Sequence, residues 1–317
     1  MRMVFAAGLA FGCIGLVSCG LALQTITSPS TAEVKEVGRS LTQSCPPNYA
    51  WVPGNPTPGL GSVANKDGVP SFCIAKFEMK HPTDVDGLDN SYPYSDRRDN
   101  NAVPVSQPQN RPWVEIGRNA ARAACERVKM PGFTVALISN GEWQAVARNI
   151  ENTAANWSGS KVGEGIIPDG HAAWDSLPVT NEADPYDGAI VYRDSPLNNW
   201  ARKRTHQLST GEVVWDLAGN VWEWVADDMA SLGVDLDNLY MQRNGILSER
   251  NKTLFGPFGK FGAKQRMVDF NAYADTAVRR GGYFMCDNYC GLFSVKTGVL
   301  RVPNYFGGFR CVARPVK

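Results

Sequence analysis

The run 221–225, Val-Trp-Glu-Trp-Val, alternates with the period of a strand. Trp222 and Trp224 fall on one face; Val221, Glu223 and Val225 fall on the other. Glu223 therefore lies between two apolar neighbours, where an unpaired carboxylate is costly. Asp216, the Gly219-Asn220 turn and Glu223 are close in sequence and offer only oxygen ligands. A hard cation such as calcium satisfies that set. The alternative is an ion pair to an arginine such as Arg279 or Arg280, with the tryptophans as plain core.

Elsewhere the apolar runs are short. Residues 71–79, Ser-Phe-Cys-Ile-Ala-Lys-Phe-Glu-Met, read as a strand bounded by Pro70 and His81-Pro82. Ala121, Ala124, Cys125 and Val128 recur at helical spacing, predicting a helix over 116–128 with Cys125 on its buried face. Pro131-Gly132 stops it. Ser139 and Glu142 form a capping box that opens a second helix, with Trp143, Val146 and Ala147 inward. Glycine and proline break up 152–194, and 232–275 is similar, so both read as loop. The expected picture is α+β: two helices, short strands and extensive ordered loop.

The first residues change the compartment. Met1-Arg2 precedes an uncharged apolar run over 4–17, too short to span a bilayer comfortably, which ends Leu16-Val17-Ser18-Cys19. This is a secretory signal over 1–18, and the tetrapeptide resembles a bacterial lipobox. Cleavage before Cys19 would make that cysteine the lipidated N-terminus and the membrane a partner through the lipid. Gly20, where aspartate is the usual inner-membrane retention residue, leans towards the outer membrane, facing the periplasm or the surface. Residues 19–44 read as a flexible tether, and 45–317 as one domain. Of 32 basic residues Arg2 leaves with the signal, so 31 basic residues meet 31 acidic ones. A neutral chain without a basic run argues against nucleic-acid binding.

Eight cysteines are present. Without Cys13 and Cys19 six remain, an even number in an exported chain, which implies disulfides. Six cysteines allow fifteen pairings. Cys45 and Cys73 end one segment, where a local bridge is reasonable.

Five segments, in order, resemble the formylglycine-generating-enzyme, or sulfatase-modifying-factor, domain family. They are Phe72-Cys73-Ile74-Ala75-Lys76-Phe77-Glu78, Ser139-Asn140-Gly141-Glu142-Trp143, Asp216-Leu217-Ala218-Gly219-Asn220-Val221-Trp222-Glu223-Trp224, Arg280-Gly281-Gly282 and Gly308-Phe309-Arg310-Cys311. The resemblance covers roughly 73–314. It implies a C-type-lectin-like fold of the sulfatase-modifying-factor variant: α+β, two helices, short antiparallel strands and calcium sites. It also implies that calcium is held by the side chains of Asp216 and Glu223 and the carbonyls of Gly219 and Val221, and that Cys125 pairs with Cys311.

Active members of the family oxidise a sulfatase cysteine to formylglycine, using copper and oxygen. The resemblance places their two copper(I) thiolates at Cys286 and Cys290. Here three residues separate these cysteines where the enzyme has four, and Tyr283 stands at its serine position. A disulfide between them is the other reading. A further family cysteine pair is missing, one position falling near Ala147. Many members keep the fold for binding or display. The sequence therefore leads to a lipid-anchored envelope protein that binds an unidentified protein or glycan, with a copper-dependent oxidase as the alternative. Tyr289, Phe293, Tyr305 and Phe306 are expected near the site and exposed.

Overall fold

The computed structural model describes residues 44–82, 101–108, 112–172, 200–201, 203–233, 249–256, 276–284, 291–299 and 306–316. The chain divides into two units, Met1–Thr42 and Gln43–Lys317, and every described residue belongs to the second. The signal, Cys19 and nearly all of the tether lie outside the described residues, as do Cys286 and Cys290.

The first sheet has the order β1-β2-β12-β5, from Tyr49–Val52, Phe72–Ala75, Cys311–Pro315 and Phe133–Leu137. All its pairings are antiparallel, with Val312 beside both Ile74 and Ala136. The two earliest strands thus share a sheet with the last one. The Cys45–Cys73 disulfide ties the lead-in segment to β2, and Cys125–Cys311 ties α1 (Arg118–Arg127) to the start of β12.

The second sheet has the order β10-β9-β8-β11, from Gly291–Val299, Thr276–Gly281, Trp222–Asp228 and Gly307–Phe309. Only β11 runs parallel to its neighbour, with Gly308 opposite Glu223. That register carries Arg310, two residues on, to the Glu223 side. Two ribbons complete the strands: β3 (Met79–Lys80) with β4 (Val105–Ser106), and β6 (Thr205–Gln207) with β7 (Val213–Trp215).

Helix α2 (Asn140–Glu151) is buried almost all round. Its Trp143, Val146, Ala147 and Ile150 share one core with Val52, Phe72, Ile74, Val278, Leu292 and Val295, so it is enclosed by strands of both sheets. Burying each large apolar side chain contributes roughly 1.5–3 kcal/mol. The capping box forms as the sequence predicts: Ser139 Oγ accepts from the Glu142 amide, and the Ser139 amide donates to Glu142 Oε2. Helix α1 presents Ala121, Ala124 and Cys125 to a second core containing Val135, Leu137, Trp224 and Phe309.

The α+β expectation holds, with three local differences. The strand expected over 71–79 is broken after Ala75, because the chain bends and Glu78 turns to a buried polar centre rather than keeping the alternation. Two further short helices, α3 (Met229–Leu232) and α4 (Glu249–Phe255), follow β8. The second lies in a stretch expected to be loop; its Leu254 and Phe255 enter the core beside α2. Among the described residues no helix is long and apolar enough to cross a membrane.

Candidate functional site

Asp216 ends the β6–β7 ribbon, and the chain then makes a tight turn into β8. The turn places Asp216, Gly219 and Asn220 at φ 54°, 77° and 59°. Gly219 is required twice over: its φ is left-handed, and an added Cβ would lie 2.4 Å from the His171 carbonyl oxygen. The backbone there is gripped from both sides. The Gly219 amide donates to Gly281 O at 3.1 Å, the Asn220 amide to His171 O at 2.7 Å, and the Phe284 amide to Asn220 O at 3.0 Å.

Beneath this turn lie three carboxylates and three cations, all buried: Glu78, Asp216 and Glu223 with Lys80, Arg204 and Arg310. They come from three regions of the chain: Glu78 and Lys80, then Arg204, Asp216 and Glu223, and last Arg310. Arg204 takes Asp216 in a two-point pair, with Nε 2.7 Å from Oδ1 and Nη2 on Oδ2. Arg310 takes Glu223 likewise, with Nη2 2.7 Å from Oε1 and Nε 3.0 Å from Oε2. Its remaining donors reach Ala75 O at 2.9 Å and Trp215 O at 2.8 Å, so one guanidinium joins both sheets and the ribbon. Glu78 accepts from the Asn220 side-chain amide and from the Val221 amide at 3.3 Å.

The charges balance formally, three against three, as groups removed from water require. Burial pushes Glu78 well above the usual carboxylate range, with Asp216 and Glu223 adding to the rise against Lys80 and Arg310. Burial also raises Glu223, with Arg310 opposing. Asp216 moves the other way: burial alone would raise it, but the Arg204 pair outweighs that and holds it low. Burial lowers Lys80. His206, on β6, is fully buried and pushed down to about 4 by desolvation.

The two carboxylates expected to hold calcium are therefore brought together, but as partners of guanidinium groups. Both oxygens of Asp216 and of Glu223 already face an arginine, and Lys80 adds a third positive charge. A divalent cation at that spot would meet two guanidiniums at hydrogen-bond distance from its ligands. The residues do not fit calcium. Among the described residues no group of three or more His, Cys, Asp or Glu is arranged to hold a metal ion. The arginine alternative is right in kind and wrong in partner: Arg310, not Arg279 or Arg280, meets Glu223.

Above the turn is a set of aromatic rings. Tyr283 stacks with Trp222 at 6.3 Å between centroids, meets Phe306 edge-on at 4.8 Å and Phe284 edge-on at 5.8 Å. Phe284 also tilts towards Phe306 at 6.0 Å and His171 at 6.1 Å. His171 Nδ1 lies 3.2 Å from Asn220 Oδ1, linking the rings to the buried charges through one side chain. Trp222 is buried, whereas Tyr283, Phe284 and Phe306 keep part of their surface. Such ring faces suit stacking against a sugar or an apolar side chain.

Of the aromatics expected here, Phe306 belongs to the set, and Tyr289 and Tyr305 lie outside the described residues. Phe293 is a correction: it is 3% exposed and packs in the core beneath the Arg148 guanidinium, 5.2 Å away. Four members of the centre, Glu78, Lys80, Arg204 and Arg310, are not picked out by the sequence as such. Glu78 and Arg310 do stand in the motifs that carry the family resemblance, which is the available signal.

Among solved structures, the chain is similar to the Treponema denticola variable protein 1, at 14% identity over 84% of this chain and 95% of that one, with a TM-score of 0.38. PvdO from Pseudomonas aeruginosa matches at 15% identity over 84% of this chain and 94% of its own, also with a TM-score of 0.38. CarF matches at 13% identity over 86% of this chain and 99% of its own, with a TM-score of 0.37. No protein-family model and no curated protein matches the chain. At these identities the family reading rests on the sequence motifs alone.

Proposed function

We propose that this chain is an exported, lipid-anchored protein of the bacterial envelope, and that its sulfatase-modifying-factor-like domain binds a protein or glycan rather than oxidising one. The observation that carries this reading is Tyr283. At the position where the active family has a serine, this chain has an aromatic ring wedged among Trp222, Phe284 and Phe306. A serine hydroxyl placed for chemistry has become part of an apolar, partly exposed ring set, the surface of a recognition site. Two disulfides agree with export, since such bonds persist in oxidising compartments. Anchoring through Cys19 and a position at the outer membrane belong to the same proposal.

The second reading, a copper-dependent oxidase acting on a sulfatase cysteine, keeps one specific support: both Cys286 and Cys290 are in the sequence. As thiolates they would hold copper(I), which would supply the oxidation chemistry. A thiol assay separates the two. The purified protein is denatured without reductant and its free thiols are counted, with and without prior copper(I). No free thiol from Cys286 and Cys290 supports the binding protein. Two free thiols that copper(I) protects would support the oxidase and overturn the reading.

A further inference from the structure

Most buried arginines of this chain have a recognisable partner. Arg204 and Arg310 face carboxylates, Arg148 pairs with Glu151 at 2.9 Å, and Arg118 lies 3.6 Å from Asp228. Among the described residues Arg280 meets no acid but donates to Ser294 O, Asn140 Oδ1 and Gln144 Oε1. Arg279 is different. It is 6% exposed, and its Nε is sealed from solvent without any hydrogen-bond partner. Among the described residues no acceptor and no carboxylate meets its guanidinium.

Among the described residues its one specific contact is the Trp224 ring, whose centroid lies 4.7 Å from Cζ. Stacking of this kind is a weak attraction. Removing a charged group from water costs more than such a contact returns. The ring therefore does not offset the burial, and the group's pKa falls to about 10 through desolvation alone. An opposite charge at the guanidinium edge would restore the balance.

The setting is rigid. Arg279 sits on β9 between Trp224 of β8 and Lys296 of β10. Trp224 is fixed in turn, its indole N–H donating to Ile116 O at 2.8 Å. One planar face of the guanidinium is covered by the indole. The edge remains, a fork of N–H donors with the spacing of two carboxylate oxygens.

We infer that Arg279, on its Trp224 platform, is a receptor for a carboxylate group brought by a ligand. A carboxylate fits better than a phosphate, because one fork matches one planar monoanion. A phosphate carries more charge and a third oxygen, and the site offers it no second unpartnered cation among the described residues. The carboxylate has two sources, a small organic acid or an acidic side chain of a peptide.

The test uses thermal melting of the intact protein at fixed ionic strength, titrated with sodium acetate, a glutamate-containing peptide amide, sodium phosphate or sodium chloride. The expected result is a saturable rise in Tm with acetate or the peptide, beyond that of chloride. Arg279→Met should abolish it, and Arg279→Lys, which keeps the charge without the fork, should weaken binding about tenfold. A response to acetate assigns a small acid, and one to the peptide alone assigns a peptide side chain. If Arg279→Met does not fold, the Arg279→Lys comparison decides. No saturable response to either carboxylate, an unchanged response in the variants, or a stronger response to phosphate would overturn the inference.

Discussion

The Arg310 guanidinium holds both oxygens of Glu223, at 2.7 and 3.0 Å, with both side chains fully buried. The pair exists because β11 runs parallel to β8, with Gly308 opposite Glu223, so Arg310 arrives on the same side. It closes the second sheet onto the first, since the same guanidinium also takes carbonyls of Ala75 and Trp215. Removing one partner leaves the other charge buried alone, which costs about 3–5 kcal/mol. Arg310→Met should lower unfolding free energy in urea by that amount. Glu223→Gln in the same background should recover part of it. A single Arg310→Met loss below about 0.5 kcal/mol, the range of ordinary surface substitutions, would contradict the role.

Gly219 holds the turn that joins the buried charges to the aromatic set. Gly219→Ala combines a left-handed φ of 77° with a Cβ 2.4 Å from the His171 carbonyl. Backbone strain of this kind costs about 1–3 kcal/mol, and the collision adds to it. The neighbouring contact between Asn220 and His171 should shift as well. The variant should show a lower Tm and altered near-UV circular dichroism from the Trp222–Tyr283 region. An unchanged Tm and near-UV spectrum would mean that the turn is not constrained as described.

His206 gives a pH dependence with a definite sign. Desolvation lowers it from 6.5 to about 4 in the folded protein, so the unfolded chain binds its proton first as pH falls. Its contribution to stability is present above about pH 6.5 and declines as pH falls from there towards 4, by about 3 kcal/mol at most. Glu78 and Glu223, raised by burial, act with the opposite sign as pH falls below their folded values. The informative quantity is therefore the difference between wild type and His206→Gln. That difference should move in favour of the variant as pH drops from 7 to 5. A difference that stays constant over this window would contradict the burial of a neutral imidazole.

Local signals are legible in the sequence. The capping box at Ser139, the inward face carrying Cys125 and the alternation around Glu223 all depend on near neighbours, and all appear. The Cys125–Cys311 pairing comes from the family motifs and agrees with the helix face. The partner of Glu223 is not legible, because it depends on a parallel pairing between strands far apart in the chain. Arg204 meets Asp216 only 12 residues along, across the antiparallel β6–β7 ribbon, and the local pattern does not state that register. Phe293 differs from expectation because its fate depends on whether β10 faces α2, and no local pattern states that. The helix within 249–256 is hidden by the glycines and polar residues around it.

Guanidinium groups, not a metal ion, hold the carboxylates Asp216 and Glu223 beneath the Gly219–Asn220 turn. The most direct measurement of this is the melting temperature of the purified protein after exhaustive chelation, followed by titration with calcium chloride. No change on chelation and no saturable rise with calcium are expected. A Tm that falls with chelator and returns with calcium, but does so no longer in Glu223→Gln, would contradict guanidinium pairing as the organising contact.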